Sequence, residues 1–182
     1  VVLAAQPQRA GILSCTMRAN GAGSKLLMLP AGGSCRPASA ETVAGNQHTI
    51  KMHGGEVFRF DTSALSDIAR SAISRAGLTL DDIAMFIPYQ ANRRIIDLVA
   101  RRLELPQEKI YVNIDRYGNT SSASIPIALC EAVEARLVNP GDKVLLAAFG
   151  AGLTWAASVI AWSRPNGVAR ERITRVNGKN RS

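Results

Sequence analysis

Short apolar segments alternate with helix-like segments along the middle of the chain, and this alternation constrains the fold more than any other feature. Between residues 63 and 76, apolar side chains recur at the spacing of one helical face, whereas Ile83–Pro88 is an unbroken apolar run that proline ends. Such a run is typical of a strand buried on both faces of a parallel sheet. Strands separated by helices predict an α/β fold with a mostly parallel sheet and helices on its faces.

Five strands and three helices are predicted in this way. The helices cover residues 63–76, 92–103 and 120–137, and the strands cover residues 11–17, 83–88, 110–114, 143–149 and 154–162. The turn between the last two strands is too short for a crossover, so these strands are expected to be antiparallel. Residues 1–5 could form another strand, and the loop-rich segment 19–55 is expected to border a site.

Composition excludes several protein classes. Hydrophobic residues make up 47% of the 182 residues, which is enough apolar surface for a folded core. No apolar run reaches the roughly 18 residues of a membrane span, so we expect no membrane insertion. The three cysteines are an odd number without a CxxC pair, which argues against a disulfide framework or a zinc site and favours a reducing compartment.

The net charge of +8 invites a nucleic-acid interpretation, but the charge is unevenly placed. From Arg164 onward the chain carries +5 of the total. Residues 1–162 are therefore predicted to form one domain, and residues 163–182 a basic, disordered tail. A weak contact between this tail and a phosphate or an acidic partner stays open as an alternative, whereas specific nucleic-acid binding is not favoured.

Polar and glycine-rich segments follow three of the predicted strands, at the sheet edge where α/β proteins bind ligands. These segments cover residues 88–92, 117–124 and 149–155. The Asn119 amide could donate a hydrogen bond to a developing oxyanion, and the turn at residues 150–152 could present a backbone N–H for the same purpose. Taken alone, both features are more typical of ordinary turns and helix caps than of a catalytic site.

Five separated segments, in order, resemble one family. They are residues 26–34 (LLMLPAGGS), 48–58 (HTIKMHGGEVF), 86–96 (FIPYQANRRII), 117–124 (YGNTSSAS) and 148–155 (AFGAGLTW). Through them, residues 11–162 resemble the C-terminal half of beta-ketoacyl-[acyl-carrier-protein] synthase III, a thiolase-fold condensing enzyme. The resemblance implies a five-stranded mixed sheet of order 3-2-1-4-5, with strand 11–17 central, the last strand antiparallel and helices on both faces. Residues 1–5 would then belong to a preceding half.

The resemblance also implies a reaction. The family condenses an acyl-CoA primer with malonyl-acyl carrier protein to initiate fatty acid synthesis, in the cytoplasm or, in plants and algae, the plastid stroma. A cysteine accepts the acyl group, a histidine and an asparagine stabilise the enolate, and a turn amide binds the thioester oxyanion. No metal or redox cofactor is implied. The family is homodimeric.

The family's residues carry over to this chain position by position. The resemblance assigns catalytic roles to Asn119, to the backbone amide of Ala151 and to the position that Tyr89 occupies. It also assigns two further sets of residues. The residues that would line the pantetheine and acyl channel are Asn92, Gly54 and Phe58. The residues that would receive the acidic carrier protein are Arg94, Arg93 and Arg101.

Two departures from the family pattern separate the functional hypotheses. Tyr89 stands where the family's motif has its histidine, and the nucleophilic cysteine belongs to an N-terminal half that this chain lacks. We therefore expect a piece of a condensing enzyme that is inactive alone. The alternative is a non-catalytic thiolase-like module that binds acyl carrier protein or CoA.

Overall fold

The computed structural model describes residues 10–163, so the expectations for residues 1–5 and for the tail from residue 164 onward fall outside the described residues. The helices are α1 (Ala40–Ala44), α2 (Gly54–Arg75), α3 (Arg93–Leu103), α4 (Ile114–Tyr117) and α5 (Ser124–Glu134). The strands are β1 (Gly11–Ala19), β2 (Leu27–Met28), β3 (Lys51–Met52), β4 (Ile83–Pro88), β5 (Lys143–Gly150) and β6 (Thr154–Ala161). No helix in the described part is both long and apolar enough to cross a membrane.

The main sheet is mixed and has helices on both faces, as expected for the α/β class. Its strands lie in the order β1-β6-β5-β4. β4 and β5 are parallel, whereas β6 is antiparallel to both of its neighbours. The expectation that the last strand runs antiparallel is therefore confirmed. A separate two-stranded ribbon pairs β2 with β3.

The predicted five-strand order 3-2-1-4-5 is wrong for this sheet, which has four strands in the described residues. β1 is not central, because it lies at the sheet edge and pairs only with β6. Its burial explains the position: only Ser14 and Thr16 are buried, while the other residues of the strand are exposed. A strand inside a parallel sheet would instead be apolar on both faces.

Residues 110–114 were expected to form the fifth strand but make a single bridge, between Phe86 and Ile110. The side chain of Gln90 occupies the backbone groups that a ladder would use. Its Nε2 donates to Tyr111 O at 3.2 Å, and its Oε1 accepts from Asn113 N at 3.1 Å. A buried backbone group needs only one such partner, so the amide of Gln90 substitutes for a neighbouring strand.

Two apolar layers cover the sheet. On one face, α2 and α3 pack through residues such as Leu65 and Val99 against Phe86. On the other face, Ala128 and Ala132 of α5 lie one turn apart and pack near Ile87. Phe86 and Ile87 are neighbours on β4 and enter opposite layers, because successive side chains of a strand alternate between faces.

Helix boundaries agree with the sequence periodicity at one helix and differ at two. α3 covers the predicted segment, whereas α2 begins at Gly54 rather than at residue 63. α5 begins at Ser124, later than predicted, after a 3₁₀ turn at Ser121–Ala123. Pro126 lies in the first turn of α5, where its missing N–H breaks no intrahelical hydrogen bond. Ile125, Ile127 and Leu129 remain partly exposed.

The edge strand β1 is joined to α2 by one buried hydrogen bond, which a pair of variants can test. The Ser14 hydroxyl donates to Ala72 O at 2.7 Å, so Ser14→Ala should lower the free energy of unfolding by about 1 kcal/mol. Thr16 faces the same side and its hydroxyl oxygen is buried without a hydrogen-bond partner among residues 10–163. Thr16→Val should therefore leave stability unchanged or raise it. Denaturant unfolding measures both, and equal losses would contradict this account.

Candidate active site

One large cavity lies at the carboxyl ends of β4 and β5 and has a volume of about 1150 Å³. Because these strands are parallel, the segments that follow them meet at the same edge of the sheet. All six residues that the resemblance assigned to catalysis or to the substrate channel line this cavity: Asn119, Tyr89, Ala151, Asn92, Gly54 and Phe58. A second cavity of about 400 Å³, bordered by Arg18 and Trp155, contains none of them.

The side chains of Tyr89 and Asn119, which both line the cavity, are hydrogen-bonded to each other. The Tyr89 hydroxyl donates to Asn119 Oδ1 at 2.9 Å, and the backbone N–H of Ser121 donates to the same oxygen at 2.9 Å. These two donors engage the amide oxygen of Asn119. Its Nδ2 makes no hydrogen bond to another residue between 10 and 163, so this nitrogen can donate to a ligand.

The Ala151 turn presents the second donor that the resemblance assigned. The backbone N–H of Ala151 has no acceptor among the described residues, and its carbonyl accepts from the Thr154 hydroxyl at 3.2 Å. Gly152, the next residue, has a φ of +137°. A Cβ there would lie 2.9 Å from Thr154 Cγ2, so the turn needs glycine at this position.

The three channel residues have local roles as well as a place in the cavity wall. Asn92 is the N-cap of α3, and its Oδ1 accepts from Arg94 N at 2.9 Å. Gly54 is the first residue of α2, and a Cβ there would meet only Met52 Cε, at 4.0 Å. Phe58 packs against the apolar layer under α2. At the mouth, Ile50 and Met52 are exposed, so the opening is apolar.

The three arginines assigned to carrier-protein docking lie on α3, outside the cavity. Arg93 is paired with Asp97 at 2.8 Å. Arg94 and Arg101 are exposed and form no ion pair within the described part of the chain. Arg94 follows the cavity residue Asn92 by two positions, which places this positive charge beside the cavity. Arg101 lies about two turns further along α3.

Gln90 is a structural residue of the site that sequence reasoning missed. It is 1% exposed. Besides its bonds to residues 111 and 113, its Nε2 donates to Pro88 O at 2.8 Å, and its backbone N–H donates to Ser124 Oγ at 3.2 Å. Gln90 thereby ties the end of β4 to the start of α5. The sequence feature that could have identified Gln90 is a polar residue that closely follows a buried strand.

Glu131 is a second residue that sequence reasoning missed, and it holds the turn that precedes Asn119. Its carboxylate accepts from Tyr117 Oη at 2.6 Å, Asn113 Nδ2 at 2.8 Å and Arg116 Nη2 at 2.7 Å. The hydrogen bond from Tyr117 is the main cause that lowers the pKa of Glu131, and the Asn113 amide adds to it. The sequence feature that pointed to Glu131 is its place as the first charged residue after the uncharged run from Thr120 to Cys130.

None of the three cysteines lines the cavity. Cys15 lies on β1, Cys35 in the loop before α1, and Cys130 on α5, where burial raises the pKa of its thiol. A raised pKa lowers the fraction of reactive thiolate. Within residues 10–163, no three histidine, cysteine or acidic side chains come together as metal ligands would.

Comparison with known proteins confirms the family resemblance. Residues 73–162 match the family described as 3-oxoacyl-[acyl-carrier-protein (ACP)] synthase III C terminal. The chain is 53% identical over 154 residues to the beta-ketoacyl-[acyl-carrier-protein] synthase III of Caldanaerobacter subterraneus subsp. tengcongensis, covering 85% of this chain and 46% of that protein. For the same enzyme of a Roseiflexus species the identity is 47%, with coverages of 90% and 50%. The chain therefore spans about half the length of these curated relatives.

Solved structures show the same fold. The synthase III of Thermus thermophilus superposes with a TM-score of 0.74 at 45% identity, covering 85% of this chain and 47% of that one. The enzyme of Aquifex aeolicus superposes with a TM-score of 0.75 at 37% identity, covering 87% and 46%. The mixed sheet and its helices are thus of the thiolase-like type. Within that class, residues 73–162 carry the C-terminal domain of the beta-ketoacyl-[acyl-carrier-protein] synthase III family, and the chain as a whole is similar to about half of that enzyme.

The Glu131 cluster predicts a specific response to acid. A carboxyl whose folded-state pKa is lowered stabilises the fold above its ordinary pKa, about 4.3, and loses that contribution as the pH falls through the folded-state value. The wild type should therefore melt at a higher temperature than Glu131→Gln at pH 7, and the difference should shrink towards pH 3. Glu134→Gln, three residues further along α5, is the matched control, because Glu134 shares none of the hydrogen bonds that Tyr117, Asn113 and Arg116 donate to Glu131. A gap for Glu131→Gln that is constant with pH would contradict the prediction.

Proposed function

We propose that this chain supplies the charge-stabilising half of a beta-ketoacyl-acyl carrier protein synthase III site, which condenses an acyl-CoA primer with malonyl-acyl carrier protein. The observation that carries the proposal is the single cavity lined by all six residues assigned from the resemblance. Two donors at the cavity, Asn119 Nδ2 and the Ala151 N–H, have no acceptor within residues 10–163, and such groups stabilise developing oxyanions.

The proposed chemistry uses these donors at two stages. When the malonyl group loses carbon dioxide, the electron pair of the broken C–C bond moves into an enolate, and Asn119 Nδ2 donates to the enolate oxygen. The enolate carbon then attacks the acyl thioester, the thioester oxygen becomes negative, and the Ala151 N–H donates to it. Collapse of this intermediate expels the thiolate and leaves the β-ketoacyl product.

The nucleophilic cysteine is proposed to come from a segment outside these 182 residues. The positions of Cys15, Cys35 and Cys130, all away from the cavity wall, support this, as does the greater length of the relatives. A donor set without a thiolate cannot form an acyl-enzyme. The chain alone should consequently bind thioester ligands without condensing them. Association with a second copy, as in the homodimeric family, is part of the same proposal.

Carrier-protein docking is proposed at the exposed arginines of α3. Arg94 lies beside the cavity and Arg101 about two turns further along, whereas Arg93 is partly neutralised by Asp97. Phosphopantetheine carriers are acidic in this family, and a positive surface steers such partners towards the cavity mouth. Arg94 is the strongest candidate, because its charge is unpaired among the described residues and it is nearest to Asn92.

A non-catalytic module that binds CoA or acyl carrier protein is the second candidate function. The specific observation in its favour is Tyr89, which replaces the histidine of the family motif and whose hydroxyl proton is engaged by Asn119. Such a module would bind the pantetheine arm in the same cavity but would not stabilise the enolate well enough for turnover.

Reconstitution separates the two candidates. The purified chain, with acyl-CoA and malonyl-acyl carrier protein, should form no β-ketoacyl product, whereas coexpression with the N-terminal half of the Caldanaerobacter relative should restore condensation. In that complex, Asn119→Ala should reduce the rate by roughly 100- to 1,000-fold. Asn139→Ala is the matched control, because Asn139 is exposed in the turn before β5, at the opposite end of that strand.

Three outcomes of the reconstitution are informative. Product from the chain alone would overturn the proposed division of the site. Equal losses in the two asparagine variants would show that the cavity is not the site of chemistry. An assembled but inactive complex in which the chain still binds CoA would favour the non-catalytic module.

Two adjacent glycines allow a test of the substrate channel. Gly54→Ala and Gly55→Ala both replace glycine at the start of α2, where alanine is stabilising by up to about 1 kcal/mol. Only Gly54 lines the cavity, so Gly54→Ala should weaken CoA binding at least severalfold, as measured by calorimetry, while Gly55→Ala should not. Unchanged CoA affinity in Gly54→Ala, with folding intact, would exclude this part of the wall from the channel.

A further inference from the structure

We infer that Tyr89 is a positioning residue that acts through Asn119, fixing which end of the Asn119 amide is offered to the substrate. The inference deepens the proposed function and rests on it for the identity of the substrate. Its structural basis is the hydrogen bond of 2.9 Å between Tyr89 Oη and Asn119 Oδ1.

The direction of this hydrogen bond follows from a neighbouring one. Ser121 N lies 2.9 Å from the same atom of Asn119, and a backbone N–H can only donate, so that atom must be the amide oxygen. The Tyr89 hydroxyl, which contacts the same oxygen, is therefore the donor. Its one proton points to Asn119, so Tyr89 does not donate to a substrate oxygen at the same time.

Fixing the amide matters because its two ends have nearly the same shape and opposite polarity. Rotation of the Asn119 amide by half a turn would present an oxygen, instead of an N–H donor, to a developing negative charge. Asn119 is exposed, so packing does not prevent this rotation. The Ser121 contact is local and moves with the loop, whereas Tyr89 is 30 residues away in sequence and belongs to another part of the fold.

Tyr89 is itself held by the sheet. Its backbone N–H donates to Ala147 O at 2.8 Å, which continues the β4–β5 ladder by one residue. Its ring packs edge-on against Phe149, with 5.2 Å between the ring centroids. The hydroxyl therefore projects from a rigid base to the loop that carries Asn119. An imidazole at position 89 would be shorter than the phenol and could not make the same contact from the same backbone.

The inference predicts that Tyr89 and Asn119 are energetically coupled. In the reconstituted complex, Tyr89→Phe keeps the ring but removes the hydroxyl, and it should lower the condensation rate by roughly three- to tenfold. In an Asn119→Ala background the same change should have less than a twofold effect, since a positioning residue has nothing left to position. Thr79→Val is the control, because its hydroxyl donates to Asp82 in the turn before β4, at the end of that strand opposite Tyr89.

A second readout uses the 182-residue chain without any activity. In ¹⁵N-labelled chain, the Asn119 side-chain amide signals are identified by their loss in Asn119→Ala. They should shift and broaden in Tyr89→Phe and stay in place in Thr79→Val. This readout tests the orientation of the Asn119 amide even if the reconstituted complex is inactive. An inactive complex would count against the proposed function, whereas the amide signals would still show whether Tyr89 positions Asn119.

Two results would overturn the inference. Equal rate losses from Tyr89→Phe in both backgrounds would show that Tyr89 donates to the substrate independently of Asn119. Asn119 amide signals that are identical in the wild type and in Tyr89→Phe would show that the hydroxyl does not orient the amide.

Discussion

Buried Gln90 joins three parts of the chain beside the cavity: the end of β4, residues 111–113 and the start of α5. Its side-chain amide accepts from the backbone N–H of Asn113 and donates to the carbonyls of Pro88 and Tyr111. Its backbone N–H donates to the hydroxyl of Ser124. A buried amide left without partners costs about 1–3 kcal/mol, so these bonds specify one arrangement of the strand end, the following segment and α5. The loop that carries Asn119 begins from this fixed point.

The site combines rigid donors with an open space for ligand. The parallel pairing of β4 and β5 brings Tyr89 and the Ala151 turn to one edge of the sheet. The carboxylate of Glu131 holds the turn that leads to Asn119. Donors that are oriented before the ligand arrives need little reorganisation during a reaction, which is the main physical advantage of such a frame.

Basic and apolar surfaces at this edge serve different purposes in the proposed function. The exposed side chains of Ile50 and Met52 make the cavity mouth apolar, as suits an acyl chain or a pantetheine arm. Arg94 provides positive charge a short distance away on α3. The thiol chemistry of the proposed reaction is assigned to another segment, in agreement with a chain that spans about half the length of its relatives.

Local patterns in the sequence predicted much of the fold but not the partners of its strands. The apolar run of β4, the periodicity of α3 and the short turn between β5 and β6 each reflect interactions between residues close in sequence, and each was predicted correctly. The edge position of β1 was not, because strand pairing is a long-range choice. Its polar buried residues, Ser14 and Thr16, were the local sign of that position.

The same distinction between local and long-range interactions applies to the candidate site. The sequence by itself determined the fold class and, through the resemblance, which side chains belong together, since strand ends and loop segments are local features. Only the tertiary structure decided that Gln90 replaces a strand, that Glu131 holds a turn and that the Tyr89 hydroxyl donates to Asn119. Each of these is a hydrogen bond between residues distant in sequence, and its existence depends on the packing that brings the two groups within about 3 Å.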